Sequence, residues 1–82
     1  MMIIHVKLPQ QGASMTDGDI VEWLVQVGDR VEKGQEIVEV DTAKTTFAVT
    51  SPASGTIKSI EKKEEENVEV GDIIAIIETE EA

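Results

Sequence analysis

Residues 18–42 read GDIVEWLVQVGDRVEKGQEIVEVDT, and residues 55–79 read GTIKSIEKKEEENVEVGDIIAIIET. Shifted by 37 positions, the two stretches overlay without a gap, with seven identities in 25 positions. Gly18 meets Gly55, Ile20 meets Ile57, Val31-Glu32 meets Val68-Glu69, Gly34 meets Gly71, Ile37 meets Ile74 and Thr42 meets Thr79. The gapless overlay and the coincident glycines argue against an accident of composition. The match extends upstream at a different offset: Val6, Pro9 and Gly12 lie 43 positions before Val49, Pro52 and Gly55. The first copy therefore carries an insertion within residues 10–17. Each copy is a series of short apolar runs separated by turn signals such as Val27-Gly28-Asp29 and Ser51-Pro52. A pattern this short cannot bury a core alone. Two copies must pack face to face, and the expected fold is all-β, a sandwich or barrel of two small sheets related by a pseudo-two-fold axis.

Composition supports the same class. Val and Ile supply 20 of the 82 residues, against two Leu, one Phe, one Trp and no Tyr. β-branched side chains are stiff at the first torsion and suit a pleated surface. One domain over residues 1–82 is expected, because a chain this short buries only about 60% of its unfolded surface and has no room for two cores. Seventeen acidic residues against seven basic ones leave a net charge of −10. That charge repels phosphate backbones and anionic lipid, so neither nucleic acid nor a membrane surface is an expected partner. The absence of cysteine removes disulfides, thiolate metal sites and thiol nucleophiles, and a single histidine, His5, removes most catalytic dyads and histidine metal sites. The longest apolar run, residues 73–77, is too short for a spanning helix or a signal-peptide core. The expected setting is a reducing one, the cytoplasm or the mitochondrial matrix of a eukaryote.

The two-fold gives one segment special geometry. The first copy runs from Asp41-Thr42 through Ala43-Lys44 into Thr45, whereas the second runs on into Glu80-Glu81. The axis then puts the 42–45 turn at one end of the molecule and both termini at the other. Lys44 is the one basic residue between Lys33 and Lys58, and it sits on this turn between the small residues Ala43 and Thr45. Read from spacing alone, a lysine on a turn is a solvated surface residue. A lysine amine is ordinarily protonated at neutral pH and has no chemistry of its own. A protruding turn of small residues can, however, present that amine to another enzyme.

Residues 34–45, with Val40-Asp41-Thr42-Ala43-Lys44-Thr45 at their end, resemble the attachment hairpin of lipoyl domains, the swinging-arm modules of 2-oxo acid dehydrogenase complexes. Lys7-Leu8-Pro9, Gly18-Asp19-Ile20-Val21-Glu22-Trp23, Ser51-Pro52-Ala53-Ser54-Gly55 and Val68-Glu69-Val70-Gly71-Asp72 fit the same family, so the resemblance covers essentially the whole chain. It implies a barrel-sandwich fold, a flattened β-barrel or sandwich of two antiparallel sheets, and a carrier without catalysis of its own, as in the dihydrolipoamide acyltransferase component. It also implies lipoate joined to Lys44 as an amide by a lipoate ligase or lipoyl transferase. The implied partners are a thiamine-diphosphate decarboxylase that acylates the dithiolane, the acyltransferase core that passes the acyl group to coenzyme A, and dihydrolipoamide dehydrogenase. The chain would be either an excised domain of such an acyltransferase or a free-standing carrier. The commonest family hairpin reads Glu-Thr-Asp-Lys-Ala, and alanine replaces its second carboxylate here, a variation also found in the family. Biotin carriers share the fold but flank their lysine with methionines, and the three methionines here lie at 1, 2 and 15. Lipoate is the expected group; a biotin carboxyl carrier and an unmodified interaction module are the alternatives. Asp41, Thr42, Ala43 and Thr45 are the expected recognition residues around the lysine. Met15, the apolar residue of the insertion, joins them because the equivalent family loop lies beside the hairpin.

The remaining residues read as scaffold. His5 belongs on an outer strand, Trp23 in a mostly buried position with its N–H bonded near an edge, and Phe47 in the core. Gly28, Gly34, Gly55 and Gly71 serve turns or close packing. Residues 61–66, Glu-Lys-Lys-Glu-Glu-Glu, have no apolar face and read as a solvated hairpin tip, with a single helical turn as the alternative.

Overall fold

The computed structural model describes residues 2–79. Eight strands occur in it: β1 (Met2–Lys7), β2 (Asp17–Trp23), β3 (Arg30–Val31), β4 (Glu36–Asp41), β5 (Thr46–Thr50), β6 (Gly55–Ile60), β7 (Asn67–Glu69) and β8 (Ile73–Thr79). They form two four-stranded antiparallel sheets, ordered β1-β8-β6-β3 and β5-β4-β2-β7. The body is flattened, 38 × 22 × 17 Å. Strand β3, only two residues long, is not apparent from the sequence as a separate strand, because so short a pairing leaves no alternation to read.

The repeat maps one sheet onto the other. Adding 37 carries β2, β3 and β4 onto β6, β7 and β8, and the 43-residue offset carries β1 onto β5. Finer detail follows. The β2–β4 ladder is interrupted by a bulge between Ile20 and Glu22, and the β6–β8 ladder by one between Ile57 and Ser59. Gly28 N–H donates to Ile57 O (2.8 Å) and Ile57 N–H to Asp29 O (2.9 Å); in the other half Glu65 N–H donates to Ile20 O (2.7 Å) and Ile20 N–H to Glu66 O (2.9 Å). Each copy thus contributes a strand to both sheets and clasps the other. The core lies between the sheets, and Val31, Val68, Ile37 and Ile74 are all within 1% of complete burial, as the repeat requires.

The two glycine pairs have different causes. Gly34 and Gly71 both adopt positive φ, 89° and 93°, in tight turns. Gly18 and Gly55 are buried where strands approach closely: a Cβ on Gly18 would lie 2.6 Å from Val40 Cγ1, and one on Gly55 would collide with the Glu78 carbonyl oxygen.

Two expectations need correction. Residues 61–66 are neither a hairpin tip nor a helical turn: they cross from β6 in one sheet to β7 in the other. They are also not merely solvated, since the Lys62 carbonyl accepts the Trp23 indole N–H at 2.8 Å. Trp23 packs against the core with most of its surface covered and its N–H bonded, as expected. Phe47, by contrast, is only partly buried, packed against the core from β5, an edge strand with a neighbour on one side only. His5 is exposed on β1, as expected.

Candidate functional site

The 42–45 turn connects neighbouring strands β4 and β5, whose last paired residues are Asp41 and Thr46. A single side chain organises it. The Thr42 hydroxyl donates to Thr45 O (2.8 Å) and accepts from Thr45 N–H (3.1 Å), while Thr42 N–H donates to the same Thr45 carbonyl (2.7 Å). A short hydroxyl side chain that bonds local backbone in this way replaces a backbone turn contact. Ala43 and Lys44 are left at the tip, both exposed. Neither has positive φ, so the turn does not need the glycine or asparagine that the mirror-image hairpin turns demand. Below the tip, the Thr46 hydroxyl donates to Asp41 Oδ1 across the strand pair (2.9 Å).

The connection from β1 to β2 passes beside this turn. Lys44 Nζ donates to Ser14 Oγ at 3.2 Å. A recess of about 260 Å³ lies between the two segments, with Met15 and Asp17 on one side and Thr42, Ala43 and Thr45 on the other. The expected recognition residues are therefore neighbours in space. Met15, however, is partly buried and packs against the core, and its Sδ accepts from Gln11 N–H (3.3 Å), so it is more a prop for the connection than a free surface contact.

The far end of the connection is pinned electrostatically. Asn67 Nδ2 donates to Asp17 Oδ2 (2.8 Å) and Asp19 Oδ1 (2.9 Å), tying β2 to β7. The hydrogen bond from Asn67, with a smaller one from the Thr16 hydroxyl, holds the Asp17 carboxyl below its ordinary pKa against a slight opposing effect of desolvation. Ser14 and Asn67 escape sequence reading, because each acts across a long separation in the chain and neither has an apolar or charged signature.

The two-fold counterpart of this turn is the pairing of Met2 with Thr79, where the Thr79 hydroxyl reaches Met2 O at 3.5 Å. Strand β1 begins at that pairing and ends at Lys7, from which the connection leads directly to the Lys44 turn. The turn and the Met2–Thr79 pairing therefore occupy opposite ends of the molecule. Glu80 and Glu81, also expected at the far end, lie outside the described residues.

Residues 4–77 match the Biotin_lipoyl family, described as "Biotin-requiring enzyme". The chain belongs to this family. Among relatives, the dihydrolipoyllysine-residue succinyltransferase component of the 2-oxoglutarate dehydrogenase complex from Staphylococcus saprophyticus is 44% identical over 89% of this chain and 17% of its own length. The lipoamide acyltransferase component of the branched-chain alpha-keto acid dehydrogenase complex from Bacillus subtilis is 43% identical over 98% of this chain and 19% of its own. The chain thus spans under a fifth of these two relatives. Among solved structures, the lipoyl domain of the 2-oxoglutarate dehydrogenase complex from Azotobacter vinelandii superposes with a TM-score of 0.73 at 30% identity, covering 93% of this chain and 98% of that one. The urea carboxylase of Kluyveromyces lactis gives 0.79 at 26% identity, over 95% of this chain and 6% of that one. The relatives and the solved lipoyl domain make this chain a lipoyl domain of the acyltransferase-component type.

Proposed function

We propose that Lys44 carries lipoate as an amide and that the domain serves as the mobile carrier of a 2-oxo acid dehydrogenase complex. The observation that carries this reading is a lone lysine at the tip of a threonine-closed turn, at the end of the molecule opposite the Met2–Thr79 pairing. A ligase needs to engage the amine without unfolding anything, and the exposed tip offers that. Thr42 keeps the turn closed, Ala43 sets only a methyl group beside the lysine, and the β4–β5 pair carries the exposed tip. When bound, lipoate supplies a dithiolane that can be reduced, acylated and re-oxidised. The carrier's contribution is tethering, since a linked group reaches effective concentrations of order mM at successive active sites. The proposed partners are a lipoate ligase or lipoyl transferase, a thiamine-diphosphate decarboxylase, the acyltransferase core and dihydrolipoamide dehydrogenase, in the cytoplasm or mitochondrial matrix.

The family's description as a biotin-requiring enzyme favours biotin as the second reading. Ala43 and Thr45, in place of the methionines of biotin carriers, weigh against it. Incubation with lipoate ligase followed by intact mass and peptide mapping separates them: a lipoyl increment on Lys44 alone is expected, and Lys44→Arg abolishes it while the melting curve stays put. Modification at Lys33 or Lys58, or a streptavidin-reactive protein from the native source, overturns the lipoyl reading.

A further inference from the structure

The recess beside Lys44 is built by a connection that holds its own shape. Met15 N–H donates to Gly12 O (3.1 Å) and Gln10 Nε2 to Met15 O (3.2 Å), while the Met15 side chain is seated against the core. Met15, Ala43, Thr42 and Thr45 are among the residues that line the recess, with Ser14 and the Asp17 carboxylate as polar neighbours, and the surface it offers is more apolar than polar. Its volume, about 260 Å³, is close to the lower limit of small-molecule pockets and suits a slender aliphatic chain. Lys44 itself lines it, and the Lys44 Nζ to Ser14 Oγ hydrogen bond of 3.2 Å spans from turn to connection.

We propose that this recess is a cradle for the aliphatic part of the arm attached to Lys44, and that Ser14 is the positioning residue that turns the arm into it. The inference rests on the carrier reading above. A free ammonium resists being laid against methyl and thioether groups, because burying a charge is costly. Amide formation removes the charge and leaves one hydrogen on Nζ, which Ser14 Oγ accepts. The chain beyond the amide then lies beside Met15 and Ala43, and each methylene withdrawn from water favours the docked position. A docked arm shields its far end, and a partner that binds the 10–17 connection opens the cradle and releases the arm. One surface thereby couples recognition to delivery.

The test uses the whole chain loaded at Lys44 with octanoate, a saturated acyl group without the dithiolane, and intact mass establishes loading. A cradle occupied most of the time slows local opening, so amide hydrogen exchange at residues 14–16 is expected to slow at least about threefold against the unloaded chain. Nuclear Overhauser contacts from the arm methylenes to the Met15 methyl are expected as well. Ser14→Ala loses the slowing and Ser14→Thr, which keeps the hydroxyl, retains it. Loaded protein with unchanged exchange and no contact to Met15 overturns the cradle and leaves the carrier reading standing. Full slowing in Ser14→Ala overturns the positioning role. A chain that the ligase does not load at Lys44 overturns both.

Discussion

Single residues repeat their work across the two-fold, and the exceptions point to testable costs. Thr42 and Thr79 are equivalent, and each hydroxyl reaches the backbone carbonyl opposite, at Thr45 and Met2. Gly28 and Glu65 are also equivalent, and both have positive φ, 95° and 69°. Glu65 is the one non-glycine residue in that region among the described residues. A left-handed conformation costs an L-residue about 1–2 kcal/mol, and glycine gives back part of the gain through its freer unfolded chain. Glu65→Gly is therefore expected to raise stability by about 0.5–1 kcal/mol, read from the midpoint of denaturant unfolding. A lower midpoint would mean the glutamate side chain compensates its own backbone. Asp17 offers a second test. Its carboxyl is held low by Asn67 and Thr16 in the folded state, so its contribution is present above the unfolded-state value and disappears as pH falls through the folded one. Asn67→Ala should move the Asp17 titration upward, followed by carboxyl chemical shifts against pH. An unmoved titration would assign the effect to other neighbours.

At the scale of elements, the informative segments are the two that depart from the repeat. The 10–17 insertion has no counterpart in the second copy, and it lies against the Lys44 turn. On the proposed carrier reading, modification of Lys44 requires the tip alone, whereas docking of a decarboxylase requires a wider patch. Shortening the insertion should leave lipoylation nearly unchanged and reduce reductive acylation of the fully lipoylated domain toward the rate of free lipoamide. Equal rates for the intact and shortened domains, both confirmed folded, would confine recognition to the hairpin. Residues 61–66 depart in another way. Their run of charges matches residues 24–29 of the first copy in position though not in character, and the backbone geometry is conserved because the bonds to Ile20 and Ile57 are backbone bonds. Side-chain polarity misleads there, since the shape is set by groups every residue carries.

For the whole molecule, the duplication predicts paired energetics. Ile37 and Ile74 occupy equivalent places in the shared core, each fully buried. Truncating either to Ala should cost roughly 2–5 kcal/mol, by similar amounts, a large part of the stability of a domain this size. Thermal or denaturant unfolding of the two variants checks this. A variant that melts within a few degrees of the parent would place that isoleucine outside the shared core.

Much of this architecture is written locally. The positions of Gly34 and Gly71 follow from turns that need positive φ, and the burial of Val31, Val68, Ile37 and Ile74 follows from short strands that must hide one face. A repeat doubles each such signal, so the all-β class, the two-fold and the exposed turn at Lys44 were determined by the sequence itself. Other features depended on what folding brings together. Phe47 is set half-buried by the edge position of β5, and Trp23 finds its carbonyl on Lys62, 39 residues away. Ser14 meets Lys44 across 30 residues, and Asn67 joins Asp17 across 50. Periodicity and turn chemistry act over a few neighbouring residues, whereas a hydrogen bond between distant segments exists only after the sheets have closed on each other, and that closure is what makes the recess beside the lysine.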